Sequence, residues 1–116
     1  MKRDMELIRL LLLEIEGEEK PDLSGYTKEQ QIYHTALLID AELIEGSIAK
    51  GSKGYPMVAH AIRLNWKGHE FLDAARNTSV WDKVVDKMKS TGASLPLPVI
   101  QELLITALKK SVGLGD

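Results

Sequence analysis

The side chains best suited to catalysis or metal binding are three histidines, His34, His60 and His69, in a chain that contains no cysteine. Metal-binding histidines usually occur as close pairs or beside other ligands, and these three lie far apart on different predicted elements. Spacing also suggests no serine–histidine–acid arrangement and no pair of catalytic carboxylates. The sequence therefore predicts no enzyme, no metal site and no cofactor.

Basic residues are concentrated in one segment, residues 47–69. Four bases and no acid occur there, whereas the whole chain has a net charge of −2. Lysine and arginine contacts with phosphates give affinity for nucleic acid that does not depend on base sequence. Lys50, Lys53 and Arg63 are therefore candidate DNA-binding residues. The alternative is a solvated segment that binds nothing.

A second candidate DNA-binding surface lies on the helix that begins after Thr27, where Thr27 and Gln30 fit a capping box. Helical spacing directs Ile32, Ala36 and Ile39 toward the core and leaves the opposite face outward. An outward helix face can contact bases and phosphates in a major groove. The predicted contact residues are Lys28, Gln31, His34 and Thr35. Several acidic residues on or near this helix oppose the proposal, because they would repel DNA.

Hydrophobic spacing and capping residues predict a mostly helical α+β chain of five helices and one β-hairpin. The first helix spans 4–16 and stops at Gly17, and the second runs from 27 to about 42. Two strands follow around a glycine-rich tip, and the third helix, 66–76, is capped by Asn65. Its predicted core residues are Trp66, Phe71, Leu72 and Ala75. Two amphipathic helices complete the chain, the last with Pro98 in its first turn.

The last predicted helix, 97–112, is apolar over a wider arc than a small domain needs to bury. Wide apolar faces on a terminal helix often join two copies of a chain. The pattern therefore predicts a homodimer, with a helix that caps its own domain as the alternative. The candidate interface residues are Ile100, Leu103, Leu104, Ala107 and Leu108.

The order of elements resembles a winged helix-turn-helix, and two runs carry the resemblance: LLIDAELIEG at residues 37–46 and IRLNWKGHEFL at residues 62–72. In that superfamily, a glycine usually stands where this chain has Glu42, and a threonine where it has Asn65. Asparagine caps a helix at least as well as threonine, whereas the loss of glycine removes an easy helix stop. The resemblance implies a winged-helix fold with two additional C-terminal helices.

More narrowly, the chain resembles the domain-of-unknown-function family 2513 over nearly its whole length. The matching segments are the opening Met1–Arg9, the pair Tyr33-His34, the run Trp66–Leu72 and the pair Val80-Trp81. This family occurs in bacterial and phage genomes and has no established activity. The resemblance implies a phage-derived protein and leaves its function open.

Together these features predict a winged-helix domain over 1–78 and a helical extension over 79–116. We expect a cytoplasmic protein without a membrane segment, because the apolar run at residues 10–13 is too short to span a bilayer. The predicted function is DNA binding or transcription regulation, with duplex DNA and a second copy as partners. The alternative is an adaptor that uses the same fold to bind another protein.

Overall fold

The computed structural model describes residues 1–92 and 94–113. The predicted mixed, mostly helical α+β class is confirmed, and these described residues form five helices and a two-stranded antiparallel hairpin. The chain divides into two compact units, Met1–His69 and Glu70–Asp116. The domain boundary predicted after residue 78 stays a prediction. The elements are α1 (Met5–Glu16), α2 (Lys28–Asp40), β1 (Ile44–Lys50), β2 (Pro56–Leu64), α3 (Trp66–Arg76), α4 (Thr78–Thr91) and α5 (Leu97–Ser111).

Helix α1 supplies much of the core of the first unit, and both of its ends are capped. The Asp4 side chain accepts a hydrogen bond from the Leu7 N–H at 3.1 Å. Gly17 adopts a φ of 88° and donates its N–H to the Leu13 carbonyl, so glycine ends the helix as the sequence predicts. The buried face of α1 comprises Leu7, Ile8, Leu11, Leu12 and Leu13.

Helix α2 begins with the predicted capping box. The Gln30 N–H donates to the Thr27 hydroxyl at 3.1 Å, and the Thr27 N–H donates to the Gln30 side chain at 2.8 Å. The helix ends at Asp40 rather than near Glu42, because Glu42 adopts a left-handed φ of 61°. Leu43 then donates its N–H to the Leu38 carbonyl at 3.0 Å, and β1 follows directly.

The start of α3 is fixed to the turn between α2 and β1 by Asn65. Its backbone N–H donates to the Leu43 carbonyl at 3.1 Å, and its side-chain amide donates to the Glu42 carbonyl. Its side-chain oxygen accepts from the Gly68 N–H at 3.1 Å, which confirms the predicted cap. Gly68 lies so close to the Leu43 carbonyl that a Cβ atom would overlap with it. The close approach of two backbones therefore requires glycine at this position.

The prediction that Trp66 belongs to the core is wrong, since 77% of this residue is exposed. As the first residue of α3, Trp66 lies away from the buried stripe, which comprises Phe71, Leu72, Ala74 and Ala75. Within the second unit, the Phe71 and Trp81 rings meet edge to face at 6.4 Å. Asn77 caps α4 by accepting from the Val80 N–H at 3.1 Å.

Candidate functional site

The predicted hairpin is confirmed, and we call residues 44–64 the hairpin arm. Its strands pair antiparallel from Ile44 opposite Leu64 to Lys50 opposite Pro56. The register shifts twice along the arm, and each shift leaves one extra residue in β2, first Ile62 and then Met57. Such bulges bend a strand and increase its twist.

The tip of the hairpin arm is held by backbone hydrogen bonds. The Gly51 N–H donates to the Tyr55 carbonyl at 2.9 Å, and the Gly54 N–H donates to the Gly51 carbonyl at 3.0 Å. Gly54 has a φ of 79°, a conformation that other residues rarely adopt. This turn places Lys53 at the exposed end of the arm, while Lys50 is exposed at the end of β1.

The cations of the basic segment differ in their local partners. Arg63 forms two parallel hydrogen bonds to the Glu45 carboxylate on the neighbouring strand, both at 2.9 Å. The Lys67 ammonium lies 3.6 Å from the Glu42 carboxylate. Neither Lys50 nor Lys53 forms an ion pair with any described residue. A phosphate near the tip would therefore meet two lysines whose charges no described carboxylate neutralises.

The hairpin arm and the residue that opens α3 also display large apolar side chains. Each of these side chains is between 56% and 77% exposed. Exposed apolar residues that lie near one another often mark a binding surface. No binding role is predicted for these residues from the sequence. One signal in the sequence was available: Met57 and Val58 are adjacent apolar residues. A strand with one buried face alternates apolar and polar residues, so one of the two must lie on the exposed face. The exposed residues are Tyr55, Met57, Val58, Ile62 and Trp66.

The predicted outward placement of His34 and Thr35 on α2 is wrong. His34 is fully buried, and its Nε2 accepts the Asp4 backbone N–H at 2.7 Å. Its Nδ1 lies 2.7 Å from the Gln30 carbonyl and donates to it, since a carbonyl oxygen can only accept. These two contacts fasten the start of α1 to α2.

The other residues predicted for the α2 surface divide between structural and exposed positions. Thr35 is 8% exposed and donates its hydroxyl to the Gln31 carbonyl at 2.8 Å. Gln31 is half-buried and donates its amide to the Tyr26 carbonyl at 3.2 Å in the preceding loop. Lys28 is the one member of the predicted set that is exposed. Of the α2 residues expected to contact bases, only Lys28 is therefore exposed, although Gln31 and Thr35 line a cavity together with it.

Lys28 lies close to the hairpin arm. It lines a cavity of about 390 Å³ together with Ile62, Ala59 and Ala61 of β2. Glu14 of α1 lines the same cavity, whose remaining members come from α1 and α2. The N-terminal end of α2 and the hairpin arm thus border one another.

The candidate dimer residues on α5 fall into two groups. Ile100 and Leu104 are fully buried within the chain, so their predicted role in an interface between copies is wrong. Both lie on the helix side that packs inward. Leu103 remains 37% exposed, and Leu103 and Ala107 line a groove between α4 and α5. Leu108 is half-buried.

The three histidines do not converge. His34 is buried, whereas His60 and His69 are exposed on β2 and α3. Within residues 1–92 and 94–113, no group of three histidine, aspartate or glutamate residues is arranged to hold a metal ion. Among the helices in that part of the chain, none has the length and hydropathy of a membrane span.

Comparison with known proteins establishes the family. The family model described as "Hypothetical protein (DUF2513)" matches residues 2–94. The chain belongs to the DUF2513 family. A relative from Haemophilus influenzae, described as an uncharacterized protein, is 33% identical over 120 aligned residues, which span 97% of this chain and the full relative. No solved structure matches.

The DUF2513 match confirms the family resemblance drawn from the sequence. It includes α2, the hairpin arm and α4, and it ends before α5 begins at Leu97. The family description names no ligand or activity.

Proposed function

We propose that this protein binds duplex DNA through the hairpin arm, as a regulatory protein without catalytic activity. The observation that carries the proposal is the pair Lys50 and Lys53, exposed beside a glycine-rich tip and without carboxylate partners among the described residues. Lysines on a slender arm can approach phosphates that a flat surface cannot reach. Such contacts give affinity without base specificity.

The winged-helix part of the proposal is supported by the order α1, α2, hairpin, α3 and by the backbone at Glu42. Its φ of 61° occurs at the position where the superfamily has a glycine. A left-handed residue there ends α2 and turns the chain into β1, which explains why glycine suits the position. In this proposal the hairpin arm is the wing.

Helix α2 then positions the arm and contributes charge rather than base contacts. Its His34 and Thr35 are buried and hydrogen-bonded within the chain, so they are not available to base edges. Lys28 at its exposed N-terminal end borders the arm and adds a third phosphate contact. We therefore expect affinity that varies little with DNA sequence. The cytoplasmic location, phage origin and transcriptional role expected from the sequence belong to the same proposal.

The test is a fluorescence-anisotropy titration of the intact chain against labelled duplexes of random sequence at several salt concentrations. The double variant Lys50→Gln, Lys53→Gln should weaken binding similarly for every duplex. Removing two phosphate contacts should also lower the slope of log affinity against log salt by about 1.8. The matched control is Lys89→Gln, Lys109→Gln, which removes two exposed charges from the second unit and should change neither quantity.

Two results would contradict DNA binding through the arm. One is equal affinity for the intact chain and the arm variant. The other is an absence of binding tighter than about 0.1 mM at physiological salt, the weak limit of nonspecific association. In either case the second candidate function takes precedence.

The second candidate is a protein-binding adaptor, and the exposed apolar residues of the arm favour it. Trp66 and Ile62 are 77% and 63% exposed, and aromatic residues are enriched among the side chains that dominate protein interfaces. A photo-crosslinking residue placed at Ile62 in living cells should capture one discrete partner. The same residue at Lys89 should capture none of it, and equal capture from both positions would count against an adaptor surface on the arm.

A further inference from the structure

An apolar groove of about 580 Å³ runs between α4 and α5, entirely within the second unit. Its lining extends along α4 from Ser79 to Thr91, twelve residues apart, or about 18 Å at the rise of an α-helix. That length equals roughly three helical turns. The apolar lining residues are Val80, Val84, Met88, Leu95, Leu103 and Ala107.

The charged side chains among the described residues that line this groove are all lysines. Lys83 and Lys87 lie one turn apart on α4, and Lys110 lines the groove from α5. The polar residues that complete the lining carry hydroxyls, and no carboxylate among residues 1–92 and 94–113 lines the groove. The α4 acids Asp82 and Asp86 are exposed but are not part of the lining. Of the charged residues of α4, those that line the groove are therefore lysines, whereas Asp82, Asp86 and Lys89 lie outside the lining.

Helix stability alone does not explain this arrangement. Lysines near a helix C-terminus are stabilised by the helix dipole, which accounts for Lys110 in the last turn of α5. Lys83 is the sixth residue of the fourteen-residue α4 and gains nothing from that effect. The spacing of Lys83 and Lys87 places two like charges one turn apart, which is unfavourable in an isolated helix, while Asp86 stands at i+3 from Lys83 as a favourable neighbour. A ligand with several negative charges would remove this repulsion.

We propose that the groove docks an acidic amphipathic helix of a partner protein. An amphipathic helix places apolar residues at i, i+3, i+4 and i+7 into an apolar groove, and three turns match its length. Acidic residues on the flanks of such a helix would repeat at one-turn intervals, as Lys83 and Lys87 do on α4. Lys110 would receive an acid from the opposite flank.

Charge also favours this occupant over a second copy of the chain and over a fatty acid. A second copy docked groove to groove would bring lysines against lysines, and like charges across an interface oppose association. A single-chain fatty acid has one carboxylate for three ammonium groups. A helix with several acidic residues can pair with all three lysines of the groove. Leu103, which remains 37% exposed, would be covered when the helix docks.

The experiment titrates the intact chain into two labelled synthetic helices that share one leucine face. One helix has glutamates on both flanks, and the other has lysines. Only the acidic helix should bind, and the double variant Lys83→Glu, Lys87→Glu should weaken its binding about tenfold or more. Leu103→Asp should weaken binding as well, through the apolar lining, with circular dichroism to verify that α4 and α5 remain folded.

The matched control is Lys89→Glu, an exposed lysine of the same helix that does not line the groove. It should change affinity by less than about twofold, in keeping with the small effect of distant surface charges. Equal binding of the two helices, or no binding of the acidic one up to about 1 mM, overturns the proposal. So does displacement of the acidic helix by dodecanoate at equimolar concentration, or a concentration-dependent dimer that Lys83→Glu, Lys87→Glu abolishes.

Discussion

Replacing Gly68 by alanine should destabilise the protein although alanine is the better helix former. In an unconstrained helix the change gains about 1 kcal/mol. Here the added methyl group would overlap with the Leu43 carbonyl oxygen, 3.0 Å from the Leu43 carbonyl carbon and 3.4 Å from the Leu64 Cβ. The backbone at Leu43 cannot rotate aside, because it is held by hydrogen bonds to Asn65 and to α2.

The loss in the free energy of unfolding depends on which contacts break when the added methyl group is accommodated. If the start of α3 shifts outward, the two hydrogen bonds from Asn65 to the Leu43 and Glu42 carbonyls are lost, at about 1 kcal/mol each. Overpacking against the backbone adds about 2 kcal/mol. After the helix-propensity gain is subtracted, the expected loss is about 3 kcal/mol in the free energy of unfolding.

Urea unfolding followed by far-ultraviolet circular dichroism measures this loss. Gly25→Ala is the matched control, because a Cβ there meets no atom within 4 Å and its φ lies outside the left-handed region. The control should be neutral or up to about 1 kcal/mol more stable than the original chain. A Gly68→Ala variant as stable as the original chain would refute the steric argument.

His34→Ala should lower the free energy of unfolding by about 3 kcal/mol, because it creates a cavity and leaves the Asp4 N–H without its acceptor; a loss below about 1 kcal/mol in urea titration would contradict this role. Leu104→Glu should cost about 4 kcal/mol or more, since Leu104 is fully buried. Leu103→Glu should cost less than about 1 kcal/mol, because Leu103 is partly exposed. If light scattering showed a dimeric original chain and a monomeric Leu103→Glu variant, α5 would form an interface between copies after all. Glu42→Gly should leave stability within about 0.5 kcal/mol, because relief at φ 61° offsets the entropy of glycine, whereas Glu42→Val should lower the thermal midpoint.

The elements were predictable because their boundaries depend on local hydrogen bonds. Thr27 and Gln30 satisfy each other's backbone groups within four residues, and the sequence contains all the information needed. The same is true of Gly17 at the end of α1 and of Asn65 at the start of α3. The two strands around a glycine-rich tip were equally evident.

The buried face of α2 was not predictable, because apolar residues occur on every side of this helix. His34 becomes a core residue because a backbone N–H thirty positions earlier, at Asp4, is available as its donor. Thr35 can be buried because its hydroxyl donates within the helix. Polarity alone predicts that His34 and Thr35 are exposed, and only the packing of α1 against α2 shows that they are buried.

The α5 residues show the same limitation. Leu103 and Leu104 are chemically identical neighbours, and a wide apolar arc does not indicate which of them faces the core. The lysines of the groove were missed for a related reason. Their common sign matters only when α4 and α5 lie side by side.

The bulges of the hairpin arm have a consequence for solubility. In a two-stranded sheet each strand offers its outer row of backbone groups to a strand from another molecule, and exposed apolar edges of this kind seed fibrils. The extra residues Ile62 and Met57 interrupt that row on β2 at both ends of the arm. An incoming strand would lose register after a few residues at each bulge. The β2 edge of the arm is therefore a poor template for further copies, even though apolar side chains are exposed along it.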